Sequence, residues 1–370
     1  MYALLFRDHG LSPAAISSLF LVWSATSFVL EIPSGAWGDS IERRTLLALS
    51  GLVYAAAFGT WVLWPSYLGF LVGFVLWGLS SAMASGTFEA LLYDSLAGIG
   101  AGSRYAQVTG WAHSAAMTAN LVATGVAAPL FAVGGYQLVG WLSVAVALGH
   151  GCLALLLPRS PRRRGDGVVD AGRWVRRYVD MLGAGTAEAA RVPVVRRALL
   201  VSAAMVGFTA YDEYFPLVLG EHGFGTGQVP LLLTLIVAAQ ALGTALAGRT
   251  SRWAPGAVAA VYGAGAALLC VGAVSGRPVG FLLIVLGFGL VNNAFVVSEA
   301  RLQQVIEGPA RATVTSVAGV SSEMFALAAF ATVALGSVWW SVAAAVAVLA
   351  VPSLGAALLA VRWLPEHGEG

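Results

Sequence analysis

The chain is short of charge. Only 10% of its 370 residues are charged, against roughly 25% in a soluble domain. With 58% apolar residues, there is too little charge to coat a water-exposed globule, which excludes that class. Lysine is missing altogether: all 20 basic residues are arginine, a bias of the coding sequence that no membrane fold requires. Cysteine is nearly missing. Cys152 and Cys270 both fall inside long apolar runs, so no disulfide framework is expected. There is no metal-ligand cluster, phosphate-cradling loop or nucleophile elbow, which argues against an enzyme. Trp37-Gly38-Asp39 and Tyr93-Asp94 have a superficial likeness to the paired aspartates of intramembrane aspartyl proteases. Their order is wrong, however, and Trp37 stands where that motif needs glycine. The net charge of +2 gives no reason to expect nucleic acid as a partner, and Met1–Phe6 has no basic stretch of the kind that opens a cleavable signal peptide.

What the chain has is apolar runs of membrane-crossing length. Spans are expected at about Ser12–Ser34, Thr45–Trp64, Tyr67–Leu92, Tyr105–Phe131, Tyr136–Leu157, Arg197–Leu219, Val229–Gly248, Ala257–Ser275, Val279–Ala300, Thr313–Gly336 and Trp339–Val361. The fold class is therefore an all-α polytopic membrane protein with about eleven complete transmembrane helices. Loop charge orients them. With Arg43 and Arg44 inside, alternation places Arg104, the arginines of 159–197, Arg249, Arg252, Arg301, Arg311 and Arg362 inside as well. Only Arg7 and Arg277 remain outside. The C-terminus is then cytoplasmic, and the expected location is the plasma (inner) membrane. Trp64, Trp339 and Trp340 at outer span ends, with Trp253 and Trp363 at inner ones, read as an aromatic belt.

One long hydrophilic segment, 158–196, divides the chain into an N-terminal bundle (1–157) and a C-terminal six-helix bundle (197–370). It begins as an Arg/Gly/Pro-rich linker. Trp174, Tyr178 and Met181 or Leu182 then recur at helical spacing, with Arg173, Arg176 and Arg177 elsewhere on the wheel. That pattern fits either a basic amphipathic turn on the inner membrane surface or a partly ordered linker. The halves also echo each other: Phe88-Glu89-Ala90-Leu91-Leu92 resembles Ser298-Glu299-Ala300-Arg301-Leu302, an internal repeat of the kind found in transporters built from repeated bundles.

Residues 35–44, Gly-Ala-Trp-Gly-Asp-Ser-Ile-Glu-Arg-Arg, read as a short charged hinge between the first two spans. Its order, G-x-(bulky)-x-D-x-x-x-x-R, resembles the signature loop of the major facilitator superfamily of secondary transporters. The resemblance extends over nearly the whole chain through the two bundles and the basic central loop. It implies alternating access, with Gly35, Asp39, Arg43 and Arg44 as gating residues. Four features depart from the family pattern. Trp37 stands where an aliphatic is usual, and Glu42 replaces a second glycine. Phe70–Gly86 lacks the arginine that many proton-linked members carry there. The glycine-proline signature of drug–proton antiporters is only hinted at by Thr124–Pro129 and Gly134-Gly135. The second-half copy of the loop, near Leu246–Trp253, has arginines but no acid. A complete member has twelve spans. Met1–Phe6 reads as the outer tail of a first helix that is largely missing, and the expectation is a gene start upstream or a truncation.

Ionisable groups inside spans are costly, so each is a candidate. Asp94, beside Arg104, suits a gating ion pair. Glu31 is either part of the inner gate or paired there to backbone or arginine, and Glu89 is either a gate partner or a proton carrier. Asp212 and Glu213 lie well inside their span, flanked by Tyr211 and Tyr214 and far in sequence from any arginine. They suit proton coupling, or else cap the outer end of a helix. Glu323, midway along its span, is a further proton-coupling candidate. Tyr211, Tyr214, Gln240, Asn292 and Asn293 are candidate solute ligands, although amides also hold helices together. His113 reads as a helix-contact residue.

The expected function is proton-coupled efflux of hydrophobic or cationic compounds by a monomer. No cofactor beyond a proton gradient is expected, and the partners would be a small solute, protons and the bilayer. The alternatives are a proton-coupled uptake permease for a small metabolite and a non-transporting receptor or scaffold.

Overall fold

A computed structural model describes residues 1–159, 176, 179, 180, 183, 186, 187, 191–276, 278–306 and 311–366, apart from the side chains of 31–36, 38–40, 311 and 312. The amphipathic stretch expected around Trp174–Leu182 falls largely outside them. All regular structure among the described residues is helical. In order it comprises α1 (Tyr2–Asp8), α2 (Pro13–Ser40), α3 (Arg43–Leu63), α4 (Tyr67–Ala84), α5 (Thr87–Gly98), a 3₁₀ turn (Gly102–Arg104) and α6 (Tyr105–Ala154). There follow α7 (Pro193–Gly207), a 3₁₀ helix (Phe208–Tyr214), α8 (Phe215–Glu221), α9 (Val229–Thr250), α10 (Pro255–Val274), α11 (Val279–Val305), α12 (Arg311–Gly336), α13 (Val342–Val348) and α14 (Ala350–Trp363). Helices are the natural solution, because each satisfies its own backbone groups where no water can.

Ten stretches among the described residues are long and apolar enough to cross a bilayer. The longest, Gly102–Ala154, has 53 residues and would be roughly 80 Å long as one straight helix, far beyond a hydrocarbon core of about 30 Å. It breaks at Gly135, whose φ of 56° and ψ of −153° only glycine adopts without strain. The stretch is thus two helical limbs joined at Gly134-Gly135, and counting each limb separately brings the candidate spans among the described residues to eleven. The hinge between the first two spans is shorter than the charge pattern suggests. α2 continues through Ser40, so Gly35 and Asp39 lie on its last turns and only Ile41 and Glu42 separate it from α3.

The chain forms two compact units. One is Leu19–Val179, where α3 packs against α4 and the second limb of α6, with Gly51 and Gly151 at the crossing. The other comprises Met1–Ser18 and Asp180–Gly370. The first eighteen residues therefore group with the C-terminal half, because α1 buries Ala3, Leu4 and Phe6 and packs on α8.

In this second unit α11 packs on α9 and α10, and α7 on α11 and α12. The α10–α11 contact is set by small residues. A Cβ on Gly265 would meet the Gly287 carbonyl at 2.8 Å, and one on Gly272 the Gly280 carbonyl at 2.9 Å. Lipid is as apolar as leucine, so close backbone approach supplies the attraction between helices. Gly265→Ala is expected to lower stability by about 1–3 kcal/mol, read as a reduced melting temperature in detergent. An unchanged melt would mean that the backbones separate freely. At the end of α8, the Glu221 carboxylate accepts from the N–H groups of Val342 and Ala343, both at 2.8 Å, and Ser341 Oγ from Ala344 N–H at 3.1 Å. Together these cap α13. Trp64, Trp253, Trp339 and Trp340 are exposed, as an aromatic belt requires.

Candidate functional site

Two regions gather the candidate residues, one in each unit. In the Leu19–Val179 unit the first turn of α3 carries Arg43. Its guanidinium donates to the Ala90 carbonyl at 3.0 Å and pairs with the Asp94 carboxylate, both on α5. The spacing in sequence favours Arg104 as the partner of Asp94. The fold gives Asp94 to Arg43 instead, because Arg104 lies in the 3₁₀ turn beyond the end of α5. Arg44 donates to the Leu155 carbonyl at 3.3 Å, and both Arg44 (3.7 Å) and Arg159 (3.8 Å) approach Glu42. The side chains of Glu31, Gly35 and Asp39 lie outside those described. Glu89 is exposed in the first turn of α5, after Gly86 takes the left-handed conformation that ends α4.

The Arg43–Asp94 pair is partly solvated, so its strength is modest. Arg43→Ala and Asp94→Ala are each expected to cost less than about 1 kcal/mol of stability. The double variant should be no less stable than the worse single one, which a double-mutant cycle in denaturant checks. Strict additivity would mean that the two side chains do not act on each other.

In the other unit the span 193–221 is not one helix. Asp212 and Glu213 sit on the 3₁₀ helix between α7 and α8, so neighbouring side chains there point about 120° apart rather than the 100° of an α-helix. The Tyr2 hydroxyl donates to Glu213, and Tyr214 donates to Ser17 Oγ at 2.9 Å. Both partners come from the first eighteen residues, which apolar periodicity alone did not link to this site. Tyr211 is buried, rests on Phe215 and Phe288, and among the described residues has no hydrogen-bond partner for its hydroxyl. Beyond the two carboxyls the chain continues as α8 for seven residues.

Asn293 donates from Nδ2 to the Gly243 carbonyl at 2.9 Å and accepts from Thr250 at 3.0 Å, so it fastens α11 to α9. Asn292, 1% exposed, donates to Phe288 O in the preceding turn of its own helix, and its Oδ1 is buried with no partner among the described residues. Gln240 and Glu323 are half-buried on α9 and α12.

Sequence reasoning missed Arg301, which is only 1% exposed on α11. Its guanidinium donates to the Pro365 carbonyl at 3.0 Å, to Ser251 O at 3.1 Å and to Trp253 O. Nothing in the polar end of α11, Ser298-Glu-Ala-Arg-Leu-Gln-Gln304, set this arginine apart in sequence.

Residues 1–322 match the profile of the Major Facilitator Superfamily. No curated protein matches the sequence. Among solved structures, the chain is similar to a D-xylose–proton symporter, with a TM-score of 0.71, 16% identity, and 98% of this chain and 91% of that chain covered. It is similar to the nucleoside transporter NupG, with a TM-score of 0.70, 12% identity, and 97% and 93% covered. It is also similar to a bacterial homologue of the human lysosomal transporter Spinster, inward-facing and unoccupied, with a TM-score of 0.65, 16% identity, and 96% and 90% covered. At these identities the likeness establishes the fold alone, while the profile match covers most of the sequence. The chain belongs to the major facilitator superfamily and is a multi-pass membrane transporter of a small solute.

Proposed function

We propose that the protein is a proton-coupled exporter of hydrophobic or cationic compounds, with Asp212 and Glu213 as the coupling carboxylates. The observation that carries the reading is the pair of adjacent acids on a 3₁₀ break within an otherwise apolar span. Intramembrane acids are retained where they move protons or bind cations. A 3₁₀ segment within a helix is a recurrent hinge, which suits a site that changes accessibility. The proton coupling named for the structurally similar xylose symporter is compatible with this reading. The Arg43–Asp94 pair, with Asp39 and Arg44 beside it in sequence, serves as the inner gate, formed and broken as the transporter alternates.

The test is transport of ethidium, a hydrophobic cation, in proteoliposomes with an imposed pH gradient. Export requires that ethidium move against the direction in which protons flow, and that collapse of the gradient stop it. Movement in the same direction as protons would replace export with uptake. Gradient-independent leakage by folded, inserted protein would remove the coupling reading.

A further inference from the structure

The Leu19–Val179 unit holds a second feature, unconnected with its ion pairs. Six aromatic residues from three spans meet around Trp77 of α4. Trp77 lies against Trp23 of α2 (5.3 Å between ring centroids), Tyr54 (5.3 Å), Phe58 (5.8 Å) and Trp61 (5.7 Å) of α3, and Phe74 (5.9 Å, stacked). One side of this cluster is ordinary core. Phe74 is fully buried and Trp61 nearly so, and the Trp61 indole N–H donates to the Phe70 carbonyl at 3.2 Å. The other side is different. Trp23, Tyr54, Phe58 and Trp77 are only half-buried. Among the described residues the Trp23 indole N–H is shielded yet has no acceptor, and Ser27 Oγ, one turn further along α2, is likewise buried without a partner. The Tyr54 hydroxyl makes no hydrogen bond among the described residues.

A tryptophan placed only to fill a core satisfies its N–H, as Trp61 does, because an orphaned buried donor costs about 1–3 kcal/mol. Aromatic walls with a few convergent, unused polar groups are the make-up of a small-molecule site. Trp23, Ser27, Tyr54 and Trp77 sit near the middle of apolar spans, and the ring faces are groups that can attract a cation. The faces of tryptophan and tyrosine attract cations, and more strongly away from water.

We infer that Trp23, Ser27, Tyr54, Phe58 and Trp77 form a binding subsite for planar aromatic cations that carry a hydrogen-bond acceptor. The flat ring stacks on Trp77, and the acceptor receives the Trp23 N–H and the Ser27 hydroxyl. This inference rests on the exporter reading for its biological use, but not for its chemistry, since binding needs no gradient.

The experiment is equilibrium dialysis of rhodamine 6G, a planar aromatic cation whose ester carbonyl is a hydrogen-bond acceptor, against the purified full chain in detergent, with melting temperature recorded for each variant. Trp23→Phe keeps the ring and removes the N–H, and is expected to weaken binding about fivefold to tenfold. The same substitution at Trp61, whose N–H is already used, is expected to leave affinity within about twofold while lowering the melt. Trp77→Leu should weaken binding more than about tenfold. Tetraphenylphosphonium, a cation with no extended flat face and no acceptor, should bind at least about tenfold more weakly than rhodamine 6G. Equal affinities for wild type, Trp23→Phe and Trp61→Phe would overturn the subsite even if Trp77→Leu failed to fold. Equal binding of tetraphenylphosphonium would overturn the planar class. If the binding pattern holds but no proton-driven ethidium movement occurs, the subsite stands and the exporter reading falls. If movement occurs without the binding pattern, the reverse is true.

Discussion

Asp212→Asn is expected to reduce pH-gradient-driven transport at least about 100-fold, the scale set by removing a positioned proton-transfer group. Asparagine matches aspartate in size but cannot ionise. The one property lost is the ability to load and release a proton. A coupling residue therefore predicts a split outcome. Active transport fails, while solute exchange at equal pH on both sides, which needs no net proton movement, continues and no longer varies with pH. Glu213→Gln should be milder, because the Tyr2 hydroxyl can donate to the amide oxygen as it does to the carboxylate. Proteoliposomes made with each variant, assayed with and without a gradient, give both readouts. Wild-type gradient-driven rates in Asp212→Asn would remove Asp212 from the mechanism. Loss of exchange together with loss of active transport would mean that the substitution damages the site rather than its protonation.

Arg301→Met is expected to destabilise the C-terminal unit by at least about 3 kcal/mol, because three backbone carbonyls lose a charged donor at once and water replaces it only in part. Methionine fills most of the volume, so cavity formation adds little. The effect should concentrate where the carbonyls are. Amide hydrogen exchange should rise in the turn around Ser251–Trp253 and at Leu364 and Glu366, which flank Pro365, with the middle of α10 unchanged. Arg301→Lys should recover less than half of the loss, since one ammonium cannot span three acceptors as a planar guanidinium does. A melt and exchange pattern like that of wild type would show that the tail and turn hold themselves without the arginine.

What could be read in advance depended on whether a property accumulates along the chain or is created across it. Membrane insertion accumulates: a run of apolar residues either is or is not long enough, and the sum does not depend on what packs beside it. Arginine distribution works in the same way, and so does the cost of an acid inside a span, which marked Asp212 and Glu213 before any coordinates were considered. The break at Gly134-Gly135 was also visible, because two glycines interrupt an apolar run long enough to cross twice.

Partners were a different matter. Arg43 and Asp94 are 51 residues apart, and nothing local favours Arg43 over the nearer Arg104. Asn293 looks the same in sequence whether it holds a solute or α9. The 3₁₀ geometry of Phe208–Tyr214 escapes hydropathy, since an apolar stretch with two acids reads the same in either helix type. Arg301 resembles any inner-end arginine until the turn after α9 and the C-terminal tail close over it. The rings around Trp77 come from positions 23, 54, 58, 61, 74 and 77, and no periodicity joins three separate spans. The sequence by itself determined that this chain crosses the membrane repeatedly and which acids fall in its apolar runs, because transfer free energy is additive along a helix. Only the tertiary structure decided which charge answers which, which amides are used up in packing, and which donors are left open. Hydrogen bonds and ring contacts act over a few ångströms, and that distance is set by folding rather than by position in the chain.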